Sequence, residues 1–142
     1  MYWKSNEKLL EREKKLIEIL QSIDEEYENL TIIVEGKRDR QVLRDFGVDA
    51  PIIRTQAGKS RIELVNQIAR IAGRRGKILI LTDFDSEGIE IAKYLGRALE
   101  RHNVRIMRRL RLVIRKYMGP YRAIEELVAL FKKKDSPEPD AD

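Results

Sequence analysis

The feature that most constrains this chain is a set of short apolar runs that do not alternate with polar residues: Thr31-Ile32-Ile33-Val34-Glu35, Pro51-Ile52-Ile53, Lys77 to Thr82 (KILILT) and Val104 to Met107. A strand with one wet face alternates apolar and polar side chains, whereas an unbroken β-branched run is expected of a strand buried on both faces of a parallel sheet. Helix patterns separate the runs. One extends from Asp39 to Phe46, where Gly47 is placed to end it in a left-handed cap. A second opens on a Ser60/Glu63 capping box, carries Ile62, Val65, Ile68 and Ala69 on one face, and stops at Gly73. A third runs from Ser86 to about His102, with Ile89, Ala92, Leu95 and Leu99 at helical spacing. Strands alternating with helices predict an α/β fold with right-handed crossovers, here a parallel sheet of about four strands covered by helices on both faces.

Outside this alternation lie further helical segments. Ser5 to Ile23 is amphipathic through Leu9, Leu16, Leu20 and Ile23; Arg108 to Tyr117 is helical up to the Gly119-Pro120 break; Tyr121 to Lys134 carries Ile124, Leu127, Val128 and Phe131. The ending DSPEPDAD has two prolines and four acids and is expected to be disordered. The expected organisation is therefore an N-terminal helix (1–28), a central domain (29–118), a C-terminal helix (119–134) and an acidic tail (135–142). The two flanking helices are expected to be additions to the core, outside its site, with their apolar stripes packed within the chain to give a monomer; a homodimer is the alternative.

Composition removes several classes of function. The 142 residues contain no cysteine and one histidine, His102, so a disulfide framework, a thiol nucleophile and the usual structural zinc sites are excluded, and any metal must sit on oxygen. No apolar run approaches the roughly 18 residues of a spanning helix, and the opening MYWKSNEKLLEREKKL is too densely charged for a signal peptide. A soluble cytoplasmic protein with no membrane contact is expected. The net charge of +5 is local: residues 101–122 hold eight basic side chains and no acid, leaving 21 basic against 24 acidic residues elsewhere. Within that segment Arg108, Arg111 and Arg115 share a helical face with Leu112, as a polyanion-binding stripe would.

Three acids carry the chemistry. Asp83 and Asp85 follow the clearest strand, where i, i+2 spacing in extended backbone turns both carboxylates to one side, and Glu35 ends the first strand. Ligands of open parallel sheets gather outside the carboxyl ends of the strands, so the three are expected to converge there. Close carboxylates repel unless a proton or cation intervenes, and hard oxygen ligands select Mg²⁺ or Mn²⁺. The competing reading of Asp85 or Ser86 is a cap on the following helix.

Glu35-Gly36-Lys37-Arg38-Asp39 together with Asp83-Phe84-Asp85-Ser86-Glu87-Gly88 resembles the Toprim domain, which topoisomerases, bacterial-type primases, certain nucleases and the maturation ribonuclease of 5S ribosomal RNA share. The resemblance covers Thr31 to Met107 and implies a Rossmann-like sheet. It further implies Glu35 as general acid/base or metal ligand, Asp83 and Asp85 as magnesium ligands, and Lys37 beside the nucleic acid. Asp39 matches the acid that ends the first motif, where it orients Lys37 or caps a helix. The DSEG run is similar to topoisomerases and the VEGK start to the small RNA maturases, which leaves the subfamily open. The chain has no room for a topoisomerase gate and no cysteine-rich primase module.

Thr55-Gln56-Ala57-Gly58-Lys59-Ser60 is not a P-loop, because the required first glycine is Ile53, yet Lys59 stands at a glycine turn into a helix start and is a candidate phosphate contact. His102 has the pattern of a helix-end residue. No aromatic cluster marks a base-reading surface. The functions these features support are a Mg²⁺-dependent phosphodiesterase acting on RNA or DNA, a non-catalytic nucleic-acid-binding module of an RNA-processing or repair assembly, and, more distantly, a nucleotide-binding regulatory domain.

Overall fold

Each apolar run becomes a strand of one parallel sheet. A computed structural model describes residues 9–135, and in it β1 (Leu30–Val34), β2 (Ile52–Arg54), β3 (Lys77–Ile80) and β4 (Arg105–Ile106) lie in the order β2-β1-β3-β4. Every residue of β1 is buried, as its unalternated sequence requires. The two-residue period survives as a choice between two cores: Ile32, Val34, Leu79 and Leu81 face one, and Ile33, Ile78 and Ile80 face the other.

The helices that close these cores are α1 (Glu11–Glu26), α2 (Lys37–Asp45), α3 (Arg61–Ala72), α4 (Ser86–Glu100), α5 (Arg108–Met118) and α6 (Val128–Asp135). Leu64, Val65 and Ile68 of α3 and Leu95 and Leu99 of α4 cover one face; α1, α2, α5 and the C-terminal segment cover the other. The glycines expected to end α2 and α3 both adopt positive φ, 94° at Gly47 and 71° at Gly73. The expected face of α3 needs one correction. Ile62 is 72% exposed, and Leu64 takes its place, because helix entry at the Ser60 cap turns position 62 toward solvent.

The apolar stripe of α1 is buried through Leu16, Ile17, Leu20 and Ile23, packed within the chain against a core that includes Leu110 and Ile114 of α5. Glu13, itself buried, seals the contact: Lys133 Nζ donates to both its oxygens at 2.8 Å. The beginning expected for this helix at Ser5 and the tail after Asp135 lie outside the described residues. The single helix expected from Tyr121 to Lys134 is instead a 3₁₀ turn, Ile124–Leu127, followed by α6. Ala123 is extended (φ −136°, ψ 147°), which interrupts the helical pattern just before Ile124. Ile124, Leu127 and Leu130 then face the core, while Val128, expected inside, is exposed. No helix among the described residues is long and apolar enough to cross a membrane.

Candidate functional site

The chain leaves β1 for β2 in one direction and β3 for β4 in the other, so the carboxyl ends of the adjacent strands β1 and β3 form the switch point where a crevice opens in such sheets. Glu35 directly follows β1, and Asp83 follows β3 by three residues. Their meeting is direct: the Asp83 N–H donates to Glu35 Oε2 at 2.7 Å. Asp83 Oδ1 is buried and has no hydrogen-bond partner. Asp85 stands close enough to raise the affinity of both acids for protons, but its own side chain turns to the helix, where Oδ1 accepts from Gly88 N at 2.7 Å. The structure thus brings Glu35 and Asp83 together and uses Asp85 as the cap of α4. Among the described residues no three Asp, Glu, His or Cys side chains form a ready-made metal cage.

Electrostatics separates this pair from ordinary surface acids. Burial, then the charges of Glu35, Asp39 and Asp85, push the Asp83 carboxyl up to about 7, and a hydrogen bond with Glu35 adds to the rise. Glu35 is also raised, first by burial, although the Asp83 N–H opposes the change by favouring its anion. Both carboxyls are thus shifted toward the protonated form.

The opposing charge comes from α5. Arg111 Nη1 donates to the carbonyls of Ile80 (2.8 Å) and Thr82 (3.0 Å), and its guanidinium lies 4.3 Å from the centre of the Phe84 ring. Burial and then Arg115 lower its pKa to about 10, while Glu35 and Asp83 pull the other way. Arg111 is consequently an internal cation beside the acids as well as a member of the basic stripe. Sequence spacing did not distinguish it from its neighbours; the available signal is its place next to the core positions Leu110 and Ile114.

Backbone contacts hold the acidic loops. Thr82 Oγ1 donates to Gly88 O at 2.7 Å. A Cβ at Gly88 would stand 2.1 Å from Asp83 O, so only glycine lets the first turn of α4 close on the loop. Asp39 is buried and accepts from Gly36 N at 2.9 Å and from Glu125 N at 2.8 Å. Of the two roles open to Asp39, the cap is the observed one. The Phe84 N–H donates to Arg122 O at 2.6 Å. The C-terminal segment, expected to lie apart from the site, is therefore tied to the Asp83–Asp85 loop and to the first turn of α2, because backbone groups just before and at the start of its 3₁₀ turn are free to bond.

The remaining candidates are dispersed. Lys37 is exposed at the first turn of α2. Lys59 lines a 170 Å³ pocket with Glu35, Thr55, Gln56 and Glu87. Arg108, Arg111 and Arg115 border one pocket with Leu112, as their spacing predicts, and Arg108 also pairs with Glu100. His102 is exposed in the turn before β4, at the opposite edge of the sheet.

Residues 9–109 match the Toprim domain. A UPF0292 protein of Thermococcus gammatolerans is 39% identical over 87% of this chain and 88% of its own. Another, from Methanocaldococcus jannaschii, is 31% identical over 85% and 93% respectively. A solved structure of a putative protein from Aquifex aeolicus shares the fold, with a TM-score of 0.62 and 24% identity over 80% of this chain and 95% of that one.

Proposed function

The chain belongs to the Toprim-domain family, and from that premise we propose that it is a divalent-metal-dependent phosphodiesterase acting on nucleic acid. The observation that carries the reading is the Glu35–Asp83 pair at the sheet's switch point, with a buried Asp83 oxygen that no protein group satisfies. Two carboxylates and an orphaned oxygen fit Mg²⁺ or Mn²⁺, since Mg²⁺ keeps several waters and takes one or two protein carboxylates. Glu35 and Asp83 would hold the ion, and Asp85 would join on releasing the Gly88 N–H. Bound there, the metal supplies Lewis-acid polarisation of a phosphate and stabilises charge on the leaving oxygen.

The chain's own groups do the rest. Glu35, whose affinity for a proton is raised by burial, either completes the metal shell or moves a proton at the reacting oxygen. Arg111 holds the loop between Thr82 and Asp83 in place and offsets the charge of the acids. The arginines of α5, with Lys37 and Lys59, bind and orient the phosphates on either side.

The second reading, a nucleic-acid-binding module without catalysis, is favoured by Asp85, which is committed to a helix cap. A panel of structured RNA and DNA, incubated with Mg²⁺ or Mn²⁺ and with Asp83→Asn as control, separates the two. Cleavage by the wild type that disappears in the variant is expected; binding without cleavage by either protein would leave the module.

A further inference from the structure

The exposed side of α5 carries two pockets that share Phe84, Leu112 and Arg115 and so form one groove. The first, 260 Å³, lies between α4 and α5; Ile89, Ala92, Ile106 and Met107 line it, and Lys93, Arg108, Arg111 and Arg115 border it. The second, 430 Å³, continues past Arg115 to Lys116 and Arg122. No aspartate or glutamate lines either part.

The groove differs from a surface that merely attracts phosphates. Contacts to a duplex backbone need charge and hydrogen-bond donors but no apolar area. Here Leu112, 62% exposed, stands among the cations where solvent has free access to it. An aliphatic surface ringed by positive charge matches a ligand that is flat and apolar in one part and anionic in the next, which describes an unstacked nucleotide. Small-ligand pockets span about 300–1,000 Å³, so a 260 Å³ recess accommodates one base and not a stack. Phe84, shared by both pockets, belongs to the loop that carries Asp83 and Asp85, so the groove opens beside that loop.

We propose that this groove is a single-strand subsite: one unpaired base lodges between α4 and α5 against Leu112, and the phosphates beside it run along Arg115, Lys116 and Arg122. The inference rests on nucleic acid being the ligand and names its class, a strand unpaired next to the acidic loop. A double helix, whose bases are stacked and paired, has nothing to place in the recess.

Fluorescence anisotropy in EDTA tests the subsite without reference to cleavage. The probes are RNA and DNA single strands of about 12 nucleotides, enough to cover a typical single-strand site, their blunt duplexes, and the same strands with abasic spacers. The wild type is expected to bind the base-bearing strands about tenfold more tightly than the duplexes or the abasic strands, the effect of burying about 55 Å² of apolar surface. Leu112→Ser, at an exposed position, should abolish that preference and leave abasic binding and the salt dependence unchanged. Arg115→Gln should weaken all probes alike and flatten the salt slope by about one unit. Equal binding of duplex and single strand, a preference that survives Leu112→Ser, or no binding at all would overturn the subsite. Because no metal is present, a protein inactive as a nuclease can still pass this test, and an active one can still fail it.

Discussion

Replacing Asp83 by asparagine should stabilise the metal-free protein at alkaline pH and leave it unchanged in acid. The folded structure holds this carboxyl at about 7 against an ordinary value of 3.8, chiefly through burial and the charge of Glu35. Below about pH 3 both folded and unfolded chains carry the proton, and the site costs nothing. Between pH 4 and 7 the unfolded chain loses its proton while the folded chain keeps it, so stability falls as pH rises through this window and then levels off. Each pH unit is worth about 1.4 kcal/mol, giving about 4 kcal/mol in full, and halving this for the screening of a partly exposed group leaves about 2 kcal/mol. Asparagine removes the ionisation and keeps the backbone donor to Glu35. Scanning calorimetry in EDTA should therefore show the variant melting roughly 5 °C above the wild type at pH 8, at the few degrees per kcal/mol usual for a chain of this size. At about pH 3 the two should coincide. A difference that is the same at both pH values, or a variant less stable at pH 8, would mean that the Asp83 carboxyl is not buried beside Glu35 in solution, and the basis of the proposed metal site would go with it.

Two further substitutions probe how the loops are held. Gly88→Ala should lower stability by about 1–3 kcal/mol, because the first turn of α4 must retreat from Asp83 O, and should weaken Mn²⁺ binding measured by paramagnetic relaxation; unchanged values of both would show that the close approach is not needed. Asp39→Ala leaves the N–H groups of Gly36 and Glu125 without their acceptor, a loss of about 2–4 kcal/mol, and should speed amide exchange in residues 122–127 more than in β1; uniform exchange would count against the bridge.

Sequence and structure agree where one-dimensional pattern and local chemistry suffice. The unalternated runs of β1 and β3 declare burial on both faces, Ser60 declares a helix start, and the meeting of Glu35 with Asp83 follows from their strands' carboxyl ends in a parallel sheet. Helix phase is less legible: Ile62 and Leu64 are equally apolar, and only the angle of entry at Ser60 decides which one is inside. The C-terminal tether is illegible for another reason. Its bonds to Phe84 and Asp39 use backbone groups of Arg122 and Glu125, which leave no trace in side-chain pattern.

That difference also explains how the site tolerates its own charge. Repulsion among Glu35, Asp83 and Asp85 pushes the loops apart, and side-chain bonds between the acids cannot resist it without a proton or a cation. The tethers observed instead act on the main chain: Arg111 grips the carbonyls of Ile80 and Thr82, Arg122 O holds the N–H of Phe84, and Thr82 holds the carbonyl of Gly88. The main chain of Asp83 is fixed by its bond to Glu35, and its Oδ1 makes no hydrogen bond that would have to be broken. Asp85 is positioned through its side chain and must give up a bond to face the same point. In the proposed metal shell the two aspartates would therefore enter at different cost: Asp83 would give up a proton, and Asp85 its bond to the first turn of α4.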